Sequence, residues 1–274
     1  VKLEKNIFKK GSTTYYWSSK FFPPAVRRDV FKLYSFVRVA DDYVDEQPNR
    51  PKEFFVLKTA WQTGETNQLS NLNKKVLANI IELSEKYDFK REWIDSFLAA
   101  MESDLLPRPH KTLKESQTYV YGSAGVIGLM MARIMGLSKS ADQYALLQGQ
   151  AMQWINFIRD VNEDNALGRS YLPQNELKKF GLKNLSKQEA TKKPEEFKAF
   201  MQMQILRYRD WQTAANKGFQ FIPRRLLIPL KTAVDMYDWT AEQIERDPFI
   251  VFERKIKPSK MRVLCAVIRN NIRG

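Results

Sequence analysis

The chain has 274 residues, 43% hydrophobic and 28% charged, with one cysteine, one histidine and a formal charge of +14. That length supports a substantial core, and the composition excludes disorder, an intramolecular disulfide, a thiolate metal cluster and any site that needs two imidazoles. The basic excess calls for an anionic partner, and nucleic acid, an anionic membrane face and a phosphorylated small molecule all satisfy it.

The amino-terminal Val1-Lys2-Leu3-Glu4-Lys5 lacks the apolar core of a signal peptide, so a cytoplasmic, reduced compartment is expected. The longest uncharged run, about Gln117 to Ala132, is too short to cross a bilayer. Apolar residues recur every three and four positions with no alternating strand pattern, which predicts an all-α chain. Breaks are expected at 46–51, 107–109, 136–140, 165–184, 192–194 and 247–248. None is long or Ser/Gly-rich enough for a tether, so residues 1–274 read as one domain.

The first long helix is predicted from Pro24 to Asp45. Phe31, Leu33, Phe36, Val37, Val39, Ala40 and Val44 cover much of its circumference, which predicts burial. Through that apolar surface runs a strip of Tyr34, Arg38, Asp41 and Asp45, projecting within about 60°. A solvent face is the plainest account of one such strip. Asp42 and Glu46, however, add like charges that destabilise a helix by about 0.2–0.5 kcal/mol per pair, a cost that a counter-cation would remove.

His110 follows in Leu106-Pro107-Arg108-Pro109-His110, a loop-like stretch with no strand-to-helix serine turn to serve, which argues against a Ser-His-Asp hydrolase. Next, Tyr119 to Met131 mixes large apolar residues with Gly122, Gly125 and Gly128, spaced three apart. This is no dinucleotide fingerprint. It fits either close helix packing or an apolar tunnel with the Tyr119 hydroxyl at its mouth.

A second strip appears in the stretch 148–165. Gln153, Asn156, Asp160 and Asp164 project within about 80°, surrounded by Met152, Trp154, Ile155, Phe157, Ile158 and Val161. Carboxylates in so apolar a setting must be paired, metal-bound or hydrated. Oxygen-only ligands one turn apart suit Mg²⁺, which commonly bridges carboxylates to substrate phosphates, so the doubled strip points to a diphosphate substrate. Arg38 and Arg159 stand beside the two pairs, either as diphosphate contacts or as salt-bridge partners of the aspartates. Farther on, a helix is expected over 194–218, and Pro229 is placed to kink the one after it.

These residues resemble the squalene and phytoene synthase family of head-to-head prenyl transferases, from about Gly11 to Arg254. Its first aspartate-rich motif is similar to Tyr34-xxx-Arg38-xx-Asp41-Asp42-Tyr43-Val44-Asp45, and its second to Gln153-xx-Asn156-xx-Arg159-Asp160-Val161-Asn162-Glu163-Asp164. Gly168 to Pro173, with Tyr171, resembles the loop that closes over the second motif. Tyr119 to Gly125 resembles the family's tyrosine and glycine element, and Ser12 to Tyr15 through Pro23 its amino-terminal signature. Tyr237 and Arg254 match a tyrosine and an arginine near the active site. Gly11 stands where some relatives carry a histidine.

The resemblance implies an isoprenoid-synthase-type helical bundle around a central apolar cavity. It implies two prenyl diphosphate substrates and Mg²⁺, or Mn²⁺ in its place, held by Asp41, Asp45, Asp160 and Asp164. Arg38, Arg159 and Arg254 would clamp diphosphate, while Tyr34, Tyr119, Tyr171 and Tyr237 would orient diphosphate or cation. Gln153 and Asn156 would position the second carboxylate pair or substrate, with Ser12, Tyr15, Gly122 and Gly125 as further substrate contacts. The preferred reaction joins two geranylgeranyl diphosphates to phytoene through a cyclopropylcarbinyl diphosphate, without NADPH. A farnesyl-using dehydrosqualene, presqualene diphosphate or squalene synthase is the alternative. Peripheral contact with the anionic inner face of the membrane is expected, and nucleic acid is not. A basic helical nucleic-acid-binding or scaffold protein, the non-enzyme alternative, leaves both acidic strips without a purpose.

Overall fold

The computed structural model describes residues 2–11 and 13–273, apart from the side chains of residues 2, 13–15 and 273. Ser12 and the Tyr15 side chain therefore lie outside the described residues. Among those described there is no strand. The helices are α1 (Lys2–Gly11), α2 (Thr13–Ser19), α3 (Pro24–Asp45), α4 (Pro51–Thr63), α5 (Asn71–Tyr87), α6 (Arg91–Ser103), α7 (Leu113–Val120) and α8 (Val126–Ile134). They continue as α9 (Asp142–Arg159), α10 (Val161–Ala166), α11 (Gln174–Lys179), α12 (Lys187–Lys192), α13 (Pro194–Asn216), α14 (Arg224–Arg246), α15 (Ile250–Glu253) and α16 (Lys260–Arg273). The chain is all-α, as the periodicity predicts.

Helix boundaries follow local chemistry. Pro24, Pro51 and Pro194 open α3, α4 and α13, where a missing N–H costs nothing. Ser70 caps α5 by accepting from the Asn73 amide at 3.2 Å. Thr112 caps α7 by accepting from the Glu115 amide at 3.3 Å, and Glu115 reaches back to accept from the Lys111 amide at 2.7 Å. Gly64 closes α4 at φ +80°, a backbone state that costs other residues a Cβ clash.

One continuous apolar cluster runs from Phe8 to Ile256, and α3 and α9 pass through it. Phe36 and Ala40 of α3 and Trp154, Ile155 and Ile158 of α9 are fully buried. Helix α9 lies along α13, where Gln148 and Gln212 exchange side-chain bonds at 2.9 and 3.0 Å and Trp154 meets Trp211 edge-on at 5.0 Å. Against α8 it comes closer still. A Cβ on Gly128 would collide with the Ala145 carbonyl, and one on Gly149 with the Ala124 carbonyl, so only glycine permits this approach.

Three details differ from expectation. The second aspartate helix is not continuous: it breaks at Asp160 (φ −96°, ψ 15°), and the i→i−4 bonds from the Asp160 and Asp164 amides, both 2.8 Å, carry the chain across. The expected break at 165–184 contains α11, whose Leu177 is fully buried. Tyr121–Gly125 winds as a π-helix between α7 and α8. Pro229 sits within α14, which continues from Arg224 to Arg246.

Candidate active site

Helix α3 brings Tyr34, the first residue of its strip, to the wall of an apolar cavity of about 290 Å³. Val30, Leu33, Tyr34 and Val37 of α3, Ile127 and Met131 of α8, Met152 of α9 and Leu230 and Ala233 of α14 line it. Tyr34, Gln153 and Asn156 supply polar atoms to its lining. Tyr34 is stacked on Phe8 of α1 at 3.9 Å, and its hydroxyl fills the space a Cβ on Gly11 would need.

The aspartates are held by arginines. Arg38 donates to Asp41 at 3.0 Å and pairs with Asp42 at 2.6 Å. Arg159 grips Asp160 with two bonds of 2.7 and 2.5 Å. Arg169, only 6% exposed, pairs with Asp45 and donates to the Val44 carbonyl at 2.8 Å. It thereby ties the loop after α10 to the end of α3.

Burial and then Asp45 push Asp41 up to about 8, against the pull of Arg38. Burial and then Asp160 push Asp164 upward, with Asp45 and Asp104 adding to the effect and Arg169 opposing it. Aspartates of both strips thus feel one another and form one region of excess negative charge.

Asp104, just past α6, completes the constellation and was not singled out from the sequence. It accepts from Tyr119 at 2.6 Å and from Tyr171 at 2.8 Å, while the Arg169 side chain reaches its carbonyl at 3.4 Å. Burial pushes it up to about 6, against the pull of Arg169 and the two tyrosines. Tyr171 stacks on Phe157 of α9 at 4.5 Å, and Tyr119 packs beside both rings. His110 lies against Tyr119 and Tyr171, its Nδ1 buried without a partner. In the sequence Asp104 looks like a polar helix end; its partners lie 15, 65 and 67 residues away. Arg169 appeared only as part of the loop motif.

Of the other expected site residues, Tyr237 is buried on α14, close enough to perturb both Tyr34 and Arg159. Gly122 and Gly125 do not line the apolar cavity. Gly122 abuts the Ser96 carbonyl of α6 and lines a second pocket with Asp104, Tyr119, Arg169 and Tyr171, Gly125 abuts the Leu146 side chain, and neighbouring Ser123 and Ala124 face the apolar cavity. Arg254 is exposed at the end of α15, and its side chain makes no described bond to the carboxylates.

The donor set fits a hard divalent cation. Its acceptors are carboxylate and amide oxygens, and Asn156 Oδ1 is buried with no partner. Among the described residues no three acidic, histidine or cysteine side chains are grouped tightly enough to cage an ion by themselves. An ion would take one or two carboxylates and complete its shell from water and phosphate, as Mg²⁺ does.

Residues 8–262 match the sequence model of the squalene/phytoene synthase family. The 15-cis-phytoene synthase of Synechococcus elongatus is 26% identical, over 96% of this chain and 89% of that protein. A chloroplastic phytoene synthase of an Oncidium hybrid cultivar is 27% identical over 95% of this chain, which spans 65% of that longer protein. A dehydrosqualene synthase crystallised with a ligand superposes with a TM-score of 0.84 at 21% identity, covering 99% of this chain and 95% of that one.

Proposed function

Since the chain belongs to the squalene/phytoene synthase family, we propose that it acts as a single prenyl-transferase domain joining two geranylgeranyl diphosphates head to head into phytoene. One observation carries the reading: the aspartate strips on α3 and α9–α10, each interleaved with arginine, are near enough for Asp45 to act on Asp164, and Tyr34, Gln153 and Asn156 of the same strips line an apolar cavity. The strips suit diphosphate and the cavity suits a prenyl tail. Curated relatives named phytoene synthase favour the geranylgeranyl substrate over farnesyl diphosphate.

Asp41, Asp45, Asp160 and Asp164 would hold Mg²⁺, which supplies charge neutralisation for a departing diphosphate. Arg38 and Arg159, already poised at the carboxylates, swing to diphosphate oxygens and hold the leaving group by bidentate bonds. Ionisation leaves an allylic cation, which the double bond of the second substrate attacks. Proton loss then closes a cyclopropylcarbinyl diphosphate, and a second ionisation and rearrangement give the hydrocarbon. Tyr119 and Tyr171, fixed by Asp104 and lining a separate pocket with Arg169, would orient diphosphate from the side of the loop after α10. Walls such as Ile127, Met131 and Met152 exclude the water that would quench them. Arg169 holds Asp45 in place from the loop side. The excess positive charge draws in anionic substrate and rests the protein on an anionic membrane, where the apolar product goes.

The test is incubation of purified protein with each diphosphate and Mg²⁺, with and without NADPH, followed by hydrocarbon extraction. Phytoene from geranylgeranyl diphosphate without NADPH is expected, lost on chelation and restored by Mg²⁺ or Mn²⁺. Product from farnesyl diphosphate alone overturns the substrate assignment.

A further inference from the structure

We infer that α16 is the element through which the protein docks on an anionic lipid bilayer, which gives the proposed peripheral contact a specific surface. Val263 and Ala266 are buried against Met236 of α14 and Trp17 of α2. On the opposite side Met261, Leu264, Ile268 and Ile272 are 68%, 47%, 52% and 76% exposed. At 100° per residue these four fall within about 80° of arc, so they form one apolar row along the helix. A contiguous row of this kind marks an interaction face more than scattered apolar residues do.

Charge identifies the occupant. Residues 254–274 contain seven Lys and Arg and no Asp or Glu. Lys260 lies over the Trp17 ring at 5.6 Å, and Arg262 over Trp239 at 4.7 Å. Arg224 of α14 donates to the Asn271 carbonyl at 2.7 Å. An apolar row with a cationic rim matches the acyl boundary and phosphate layer of an anionic bilayer, with long basic side chains reaching outward from the flanks. A second copy of the chain would bring the same cations face to face, which disfavours self-association here.

The placement also fits the proposed chemistry. Pro229, Leu230 and Ala233 of α14 line the cavity, while Thr232, Asp235 and Met236 of the same helix meet α16. One helix therefore separates the hydrocarbon chamber from the docking face.

Sedimentation of the full chain with phosphatidylcholine vesicles, with or without phosphatidylglycerol, tests the inference. Binding is expected only to the acidic vesicles and should weaken with salt. An Ile268→Glu/Ile272→Glu double variant should partition about tenfold or more less well, while converting detergent-dispersed substrate at the wild-type rate. Leu206→Glu, at a half-exposed position of α13, should partition like wild type. Several results overturn the inference: no wild-type binding to acidic vesicles, retained binding by the double variant, equal loss from Leu206→Glu, or a solution dimer that the double variant splits. Partitioning is read without substrate, so it fails independently of the catalytic reading.

Discussion

Burial and neighbouring carboxylates resist charge on Asp41 and Asp164, and arginine offsets only part of that cost. If these groups hold metal and diphosphate, Asp41→Asn and Asp160→Asn should each lower turnover at least about 100-fold. Circular dichroism should be unchanged, and an active variant would contradict the assignment. A second expectation concerns pH. The folded value of Asp41, about 8, lies above its ordinary 3.8, so its ionisation destabilises the fold progressively as pH rises between those values. Asp41→Asn is always neutral, and its melting temperature should gain on wild type from about pH 5 to about pH 8. Both strips were legible in the sequence because each repeats along one helix. Asp104 was not, because its partners Tyr119, Tyr171 and Arg169 converge on it only through tertiary packing.

At the level of elements, α3 was legible from Pro24 to Asp45 because proline opens it and one pattern runs its full length. The break at Asp160 was not, since a bend that keeps its i→i−4 bonds leaves the residue spacing intact. Short α11 was hidden among turn-forming residues and is fixed by tertiary contacts. Arg207 of α13 grips Glu176 at 2.9 and 2.7 Å, and Gln204 adds a bond of 2.9 Å. Both ends of the pair are partly buried. Arg207→Met leaves a half-buried carboxylate with only its Gln204 bond and should cost about 1–3 kcal/mol in urea unfolding. Arg207 and Gln204 outweigh the effect of burial and hold Glu176 below its usual 4.5. The pair's stabilisation is therefore present above that value and lost as pH falls through the lower folded one. The wild-type advantage over Arg207→Met should shrink on acidification through that range.

For the whole molecule, the +14 charge was readable at once, but its target was not, because charge names no ligand. If it steers anionic substrate, kcat/KM should fall several-fold between low salt and about 0.5 M salt while kcat changes little. A salt-insensitive kcat/KM would remove that role. The π-helical turn at Tyr121–Gly125 bears on how this chain tolerates change in length. A π turn takes up one residue more than the α-helix around it, so it sets the phase between Tyr119, turned toward Asp104, and Ile127 and Met131, turned into the cavity. Deleting one residue there lets the segment wind as a uniform α-helix with the two sets still in phase, whereas deleting one between Ile127 and Met131 in α8 rotates those two against each other by about 100°. A scan of single-codon deletions, judged by hydrocarbon yield, should find this turn and the exposed 65–68 connection tolerant and positions 128–130 of α8 intolerant.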